Sequence, residues 1–329
     1  MLRSIAEVQD KIASGKPLLL AGSEVALAQL QPGNWIGGTI PYFMDVSGGA
    51  CDESRVFVTE IPSYATGTQV LEYTVDSVPS ICKDAPENGF SVLIMPAGSE
   101  IHGAYAREAP GYDGMYLKPL VGWISGVHLS QLGQGQAMVF NGTTGRGLVD
   151  RGVAMHVSLP ADKLAELDIV NVFKPGPGAT ITFPVSGFTV GDCFVDGKPD
   201  NLARYIAETR SDPSLPLTAD YSGSIVNVSV QSVDASSATV KLYSPVFEGV
   251  QYKFAEPVDD YVAAFNRIAA LHGDVPPTFA CNCILNYIYA NLEGKRTGSI
   301  TGPITFGEIA YQLLNQTLVQ LRIHDIAAA

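Results

Sequence analysis

The sequence predicts an α/β chain of the mixed α+β kind, with two domains that are each a β-sheet with packed helices. Three observations lead there. The chain has 329 residues, about twice a typical single-domain length. Apolar residues make up 46% and charged residues 16%, enough to fill complete cores and too apolar for an acidic disordered chain. The 33 glycines and 21 prolines call for many turns, which favours strands over a helical bundle. The formal net charge of −13 repels a phosphate backbone or an anionic bilayer, so neither nucleic acid nor membrane is an expected partner. No apolar run approaches the roughly 18 residues that a membrane span requires.

Ile5, Val8 and Ile12 fall at helical spacing, and Gly15 closes that element. Glu7, Asp10, Lys11 and Lys16 interrupt the segment, so it reads as an amphipathic helix and not as a signal peptide. A second helix signal runs from Ser23 to Leu30, followed by the apolar, glycine-paired segment Trp35–Ile40. Strand-like runs follow at 55–59, 91–95, 137–141 and 152–159. Residues 100–114, with Gly103, Pro110, Gly111 and Gly114, read as a long loop. A boundary near Pro160–Asp168 divides the chain into domains 1–165 and 166–329. The second half reads as a strand at 179–183, a helix at 199–208, paired strands at 224–230 and 238–243, and a helix from Val258 to Leu271 stopped by Gly273. A strand at 278–285, a polar loop at 293–302 and a strand at 318–323 complete it. No exact internal repeat is evident. Five cysteines in a long chain suit reduced thiols, hence a cytoplasmic location. Sequons at Asn141, Asn227 and Asn315 then carry no meaning, and Ala327–Ala329 read as an artificial tail.

The C-terminal residues are more distinctive. Phe279-Ala280-Cys281, Gly302-Pro303-Ile304-Thr305-Phe306-Gly307-Glu308-Ile309 and Asn315-Gln316-Thr317-Leu318 occur in one order at close spacing. This resembles the C-terminal half of the FIST family (F-box and intracellular signal transduction proteins). Asp196-Gly197-Lys198-Pro199 is similar to that family's junction, and Ile36-Gly37-Gly38-Thr39 and Pro119–Gly126 to glycine elements of its first half. The chain departs from the pattern at Leu314, where a histidine is expected, and at Ile40-Pro41-Tyr42-Phe43. The resemblance implies a sensory module that binds a small, amino-acid-like ligand and relays its state to a separate protein such as a kinase or cyclase. Some members of that family sense nitric oxide through haem. One axial histidine suffices for haem, and His102 and His128 are the candidates here.

The residues carry their own chemistry. Glu308 beside Gly307 presents a carboxylate on an apolar stretch, for a ligand amine or for the backbone of its own loop. Asn315 and Gln316 offer amides for a ligand or for bridging strand and loop. Cys281 and Cys283 share a strand face, but a structural zinc site needs two further ligands, and His272 stands alone. Gly37, Gly38 and Thr39 permit close backbone approach, with Trp35 and Trp123 as walls or as core. The glycines at 141–147 lack the Lys-Ser/Thr of a phosphate loop, and no nucleophile elbow or HExxH is present. The expected ligand site is therefore Gly37, Gly38, Thr39, Trp123, Cys281, Gly307, Glu308, Asn315 and Gln316, in a cleft between the halves. The rival is an enzyme acting on a small polar metabolite with Glu308 or Cys281. A scaffold without a pocket is the third reading.

Overall fold

Ser4, Ser23 and Ser99 each set a helix start with a side-chain oxygen that accepts from a first-turn N–H: Glu7, Ala26 and His102 respectively. At Ser4 the Glu7 carboxylate reaches back to the Ser4 N–H, completing a capping box. A computed structural model describes residues 1–221, 224–270 and 276–326. Leu271, His272, Gly273 and Ala327–Ala329 lie outside the described residues.

The chain passes three times through one succession of elements. The first pass is β1 (Leu2–Arg3), α1 (Ile5–Ala13), β2 (Leu18–Gly22), α2 (Glu24–Leu27), β3 (Trp35–Thr39), the hairpin β4 (Tyr42–Asp45) and β5 (Gly48–Cys51), and β6 (Val56–Glu60). The second is β7 (Gly67–Tyr73), α3 (Ile81–Asp84), β8 (Gly89–Pro96), α4 (Glu100–Glu108), β9 (Leu120–Ser125), the hairpin β10 (Val139–Asn141) and β11 (Arg146–Leu148), and β12 (Gly152–Ser158). The third opens with β13 (Lys163–Val170) and is then interrupted by an insert. The insert comprises β14 (Ile181–Thr182), β15 (Gly187–Val190), β16 (Asp192–Val195), β17 (Lys198–Asn201), α5 (Leu202–Thr209), β18 (Leu217–Tyr221), β19 (Ser224–Val228), β20 (Val230–Asp234), β21 (Thr239–Val246), β22 (Lys253–Phe254) and α6 (Tyr261–Ala269). The third pass resumes with β23 (Phe279–Cys283), α7 (Ile284–Tyr289), β24 (Gly302–Thr305), the hairpin β25 (Glu308–Ala310) and β26 (Gln312–Leu314), and β27 (Leu318–Asp325).

Three six-stranded sheets result: β1-β6-β2-β3-β10-β11, β7-β12-β8-β9-β25-β26 and β13-β27-β23-β24-β4-β5. Each has one parallel pair at its centre, β2/β3, β8/β9 or β23/β24, joined through a helix, and antiparallel pairs elsewhere. Each hairpin leaves its own pass and completes another sheet. The first-pass hairpin pairs with β24, the second with β3 and the third with β9. The exchange closes in a ring. The sequence records the repetition as Ala21-Gly22-Ser23-Glu24 and Ala97-Gly98-Ser99-Glu100, the two turns that lead from a central strand into its crossover helix. This corrects the expectation of no exact repeat. The predicted boundary at 165/166 falls inside β13, and two of the sheets take strands from both sides of it.

The mixed α+β class is the one observed. Residues 100–114 differ from their reading as a loop, because Ile101, Ala104, Tyr105 and Ala106 bury one face of α4 while Pro110 and Gly111 come only after it. The strand expected over 278–285 ends at Cys283, and residues 284–289 are helical. The predicted pairing of 224–230 with 238–243 is also shifted: β20 pairs with β21, and β19 turns to β18. One core joins all three passes through Ile36, Phe43, Trp123, Phe279 and Ile304, and the insert has its own around Ile181, Leu202 and Tyr252.

Backbone contact is tight at the parallel pairs. A Cβ on Gly122 would lie 1.8 Å from the Leu93 carbonyl oxygen, and one on Gly302 would lie 2.0 Å from that of Ala280. Backbone cannot yield as a side chain can, so Gly122→Ala and Gly302→Ala should each cost about 3 kcal/mol or more in chemical denaturation. Gly67→Ala, which meets nothing within 4 Å, should stay within about 0.5 kcal/mol.

Candidate functional site

Most of the predicted site residues are structural. Gly37 and Gly38 lie in β3, where a Cβ on Gly38 would strike Ile94 at 2.7 Å and the Trp123 indole nitrogen at 2.8 Å. Trp123 stacks on Phe279 with ring centroids 5.7 Å apart. Cys281 Sγ donates to the Gly122 carbonyl oxygen at 3.3 Å. The Gly307 carbonyl oxygen accepts from Ile124 N and from Thr305 Oγ1. Glu308 is fully buried, its Oε2 accepting from the Thr317 hydroxyl at 2.8 Å and the Thr317 N–H at 3.3 Å. Burial drives its carboxyl well above the usual carboxylate range, against the lowering effect of the Thr317 hydrogen bonds. Burial also raises the Cys281 and Cys283 thiols. Thr39 borders a cavity of about 300 Å³ with His128, but its hydroxyl is bonded to Met138 on both sides.

Asn315 and Gln316 are placed differently. Asn315 lines a cavity of about 710 Å³ where the carboxyl ends of β8 and β9 face those of β23 and β24, the customary position for ligands in sheets with parallel strands. Gly98 and Ser99 of the repeated turn, Leu285 and Ile288 of α7, and Phe306 contribute to one side. The insert contributes Phe188, Lys241 and Tyr243 to the other. A register shift between Gly187 and Thr189 brackets Phe188, the kind of bulge that re-aims a side chain.

Two buried polar atoms of this cavity are donors left without a partner. Asn315 is 2% exposed; its Oδ1 accepts from Ser229 N at 2.9 Å and Ser229 Oγ at 2.6 Å, which fixes the amide and leaves Nδ2 without a partner. His102 Nδ1 accepts from Gly98 N at 3.2 Å, so in the neutral ring Nε2 carries the proton, and Nε2 is buried with no partner. Burial lowers that imidazole to about 4. Arg107 and Lys241 also line the cavity, no aspartate or glutamate does, and neither cation has an ion pair among the described residues. In a chain of net charge −13 this is a local reversal of sign. Arg107, Lys241, Phe188 and Ser99 were not anticipated from the sequence; the repeated Ala-Gly-Ser-Glu was the signal that could have found Ser99.

The same tautomer argument bears on haem. An axial histidine offers a lone pair on the free nitrogen, whereas the Gly98 N–H makes His102 Nε2 a donor, and the Ser130 N–H does the same to His128. Neither residue fits. Among the described residues no group of three or more His, Cys, Asp and Glu could hold a metal, and no helix is long and apolar enough to cross a membrane. All five cysteines are free. The three sequon asparagines are buried.

A family model, described as a family of unknown function (DUF6976), matches residues 3–324. The chain belongs to that family. The FIST resemblance is thereby corrected, and with it goes the ground for haem, kinase or cyclase. Its motifs have local causes: Gly302 sits where backbones touch, and Glu308 and Thr317 hold each other. No curated protein and no solved structure matches the chain.

Stability should fall on both sides of a mildly acidic optimum. Burial lowers His102 and His156 to about 4 in the fold, so stability is lost as pH drops from about 6.5 toward 4. Tyr73 OH and Ser91 Oγ hold both nitrogens of His156. Glu308, raised, acts the other way: its contribution is complete below the ordinary carboxyl pKa and is lost as pH rises. Glu308→Gln should flatten the alkaline limb, by up to about 1.4 kcal/mol per pH unit, and steepen the acid limb above the ordinary carboxyl pKa, where the carboxyl and the two histidines act in opposite directions. Urea midpoints across pH measure both limbs.

Proposed function

We propose that this protein binds a small amphipathic anion, an apolar body carrying a carboxylate, sulfonate or phosphate, in the 710 Å³ cavity. The carrying observation is the surplus of donors, namely Asn315 Nδ2, the His102 Nε2–H, Arg107 and Lys241, with no carboxylate to meet them. Two of these donors, Asn315 Nδ2 and the His102 Nε2–H, are buried and unpaired, which is costly, and an anion satisfies them together with the two exposed cations. The apolar walls, Phe188, Leu285, Ile288 and Phe306, suit the rest of such a molecule.

The walls come from the repeat body and from the insert. Occupancy therefore favours arrangements in which the two are fastened together, a population shift by which ligand state can reach a separate protein. The enzyme alternative gains nothing from the placement of its residues, since neither Glu308 nor Cys281 borders this cavity.

Anilinonaphthalene sulfonate, a fluorescent amphipathic anion, is a direct probe. It should bind saturably and be displaced by decanoate but not by decylamine. The double variant Arg107→Ala/Lys241→Ala should weaken it about tenfold, the equivalent of about 1.4 kcal/mol. Equal binding by that double variant, or equal displacement by decylamine, would reject the reading.

A further inference from the structure

A larger cavity, about 840 Å³, lies on the other side of α7, lined by Asn286, Tyr289, Gln316, Tyr261, Lys295 and Arg296 together with Asp259 and the start of α6. Its polar equipment differs from that of the first. Asn286 is 1% exposed; its Nδ2 donates to Asn282 Oδ1 at 2.9 Å and to the Thr317 carbonyl oxygen at 3.3 Å, and its Oδ1 is buried without a partner. Both Nδ2 partners belong to the core, so the acceptor end of the amide is the end left to the cavity. Lys295 and Arg296 have no ion pair among the described residues, and neither has Asp259. The other two lining carboxylates are engaged locally, Asp212 with Ser214 and Asp260 with the first turn of α6. The groups without a counter-charge are thus two cations, of which Lys295 also donates to the Ala290 carbonyl oxygen at 3.4 Å, and one carboxylate, beside one buried amide acceptor without a partner.

We infer that this cavity is a second binding site, for a small zwitterion, and that it is coupled to the anion cavity through Ser229. The anionic end would meet Lys295 and Arg296, and the ammonium end Asp259, Asn286 Oδ1 and Gln316 Oε1. The coupling rests on the function proposed above; the site itself does not. Asn315 faces one cavity and Gln316 the other. The Ser229 hydroxyl stands 2.6 Å from Asn315 Oδ1 and 2.5 Å from Gln316 Oε1. It has one proton for two acceptors. Gln316 Nε2 is tied to the Ser214 carbonyl oxygen at 3.0 Å, which keeps Oε1 turned toward Ser229. A ligand that draws on either amide changes which acceptor receives the proton, and so biases the other cavity. That gives two discrete arrangements which both sites can favour unequally.

Three zwitterions with different anionic ends serve as probes: glutamine, taurine and phosphocholine. At least one should raise the melting temperature saturably at millimolar concentration. Lys295→Ala/Arg296→Ala should abolish that rise, and Arg107→Ala/Lys241→Ala should retain it. The bound zwitterion should shift the dissociation constant of anilinonaphthalene sulfonate at least threefold. In Ser229→Ala both probes should still bind, but the shift should vanish; far-ultraviolet circular dichroism checks that this variant is folded. No stabilisation by any of the three, or stabilisation that survives Lys295→Ala/Arg296→Ala, overturns the second site. Stabilisation without a shift in the sulfonate constant overturns the coupling alone. Absence of sulfonate binding overturns the anion site and the coupling together, while the melting measurement still decides the zwitterion site.

Discussion

Every six-stranded sheet of this protein is completed by a hairpin from another third of the chain. That cyclic exchange is the constraint on which the rest depends. The hairpin at Tyr42–Cys51 finds its partner only when Gly302–Thr305 has arrived from the far end of the sequence. Pairing of this kind is non-local, and its loop-closure entropy must be met before the contacts form. Once closed, the ring lets Trp123 lie on Phe279 and Cys281 reach the Gly122 carbonyl oxygen. The same contacts bring the carboxyl ends of two parallel pairs together, which opens the space between them.

Polar chemistry is divided between core and cavity walls. Glu308, Thr317, Thr305 and Asn282 bond largely to one another and to backbone, in a region where an ionised carboxylate would be expensive. Asn315 and Asn286 each have one end of the amide fixed and the other without a partner, Gln316 has both ends held by Ser229 and Ser214, and all three border a cavity. Residues only a few positions apart therefore act differently. Glu308 stabilises a turn, while Asn315 presents unmatched donors.

What was legible in the sequence follows the range of the interactions involved. The first helix and the strands at 91–95 and 152–159 are set by local spacing, and they form where that spacing puts them. The helix at 100–108 was obscured because Gly103 interrupts its pattern and two turn residues follow it, while its Ser99 cap went unused as a signal. Hairpin exchange leaves no local trace: a four-residue strand such as Tyr42–Asp45 reads the same whichever sheet receives it. At the site, Asn315 and Gln316 were named for their amides, and both border cavities. Arg107 and Lys241 are ordinary surface cations in sequence. Only the meeting of α4 with the insert gives them a shared wall.

The insert between Val170 and Phe279 takes the place that short helices hold in the other two passes. Its two attachment strands, β13 and β23, flank the same neighbour, β27. Entry and exit are thus separated by two strand spacings, roughly 10 Å across the sheet. Among the described residues the segment takes no part in the strand pairings of the three sheets, although Phe265 of α6 packs against Ala280 and Leu318 and Ser229 holds Asn315. It also supplies Phe188, Lys241 and Ser229. If the 710 Å³ cavity is the binding site proposed above, a change confined to this appendage alters one wall of it while the threefold frame keeps its own pairings.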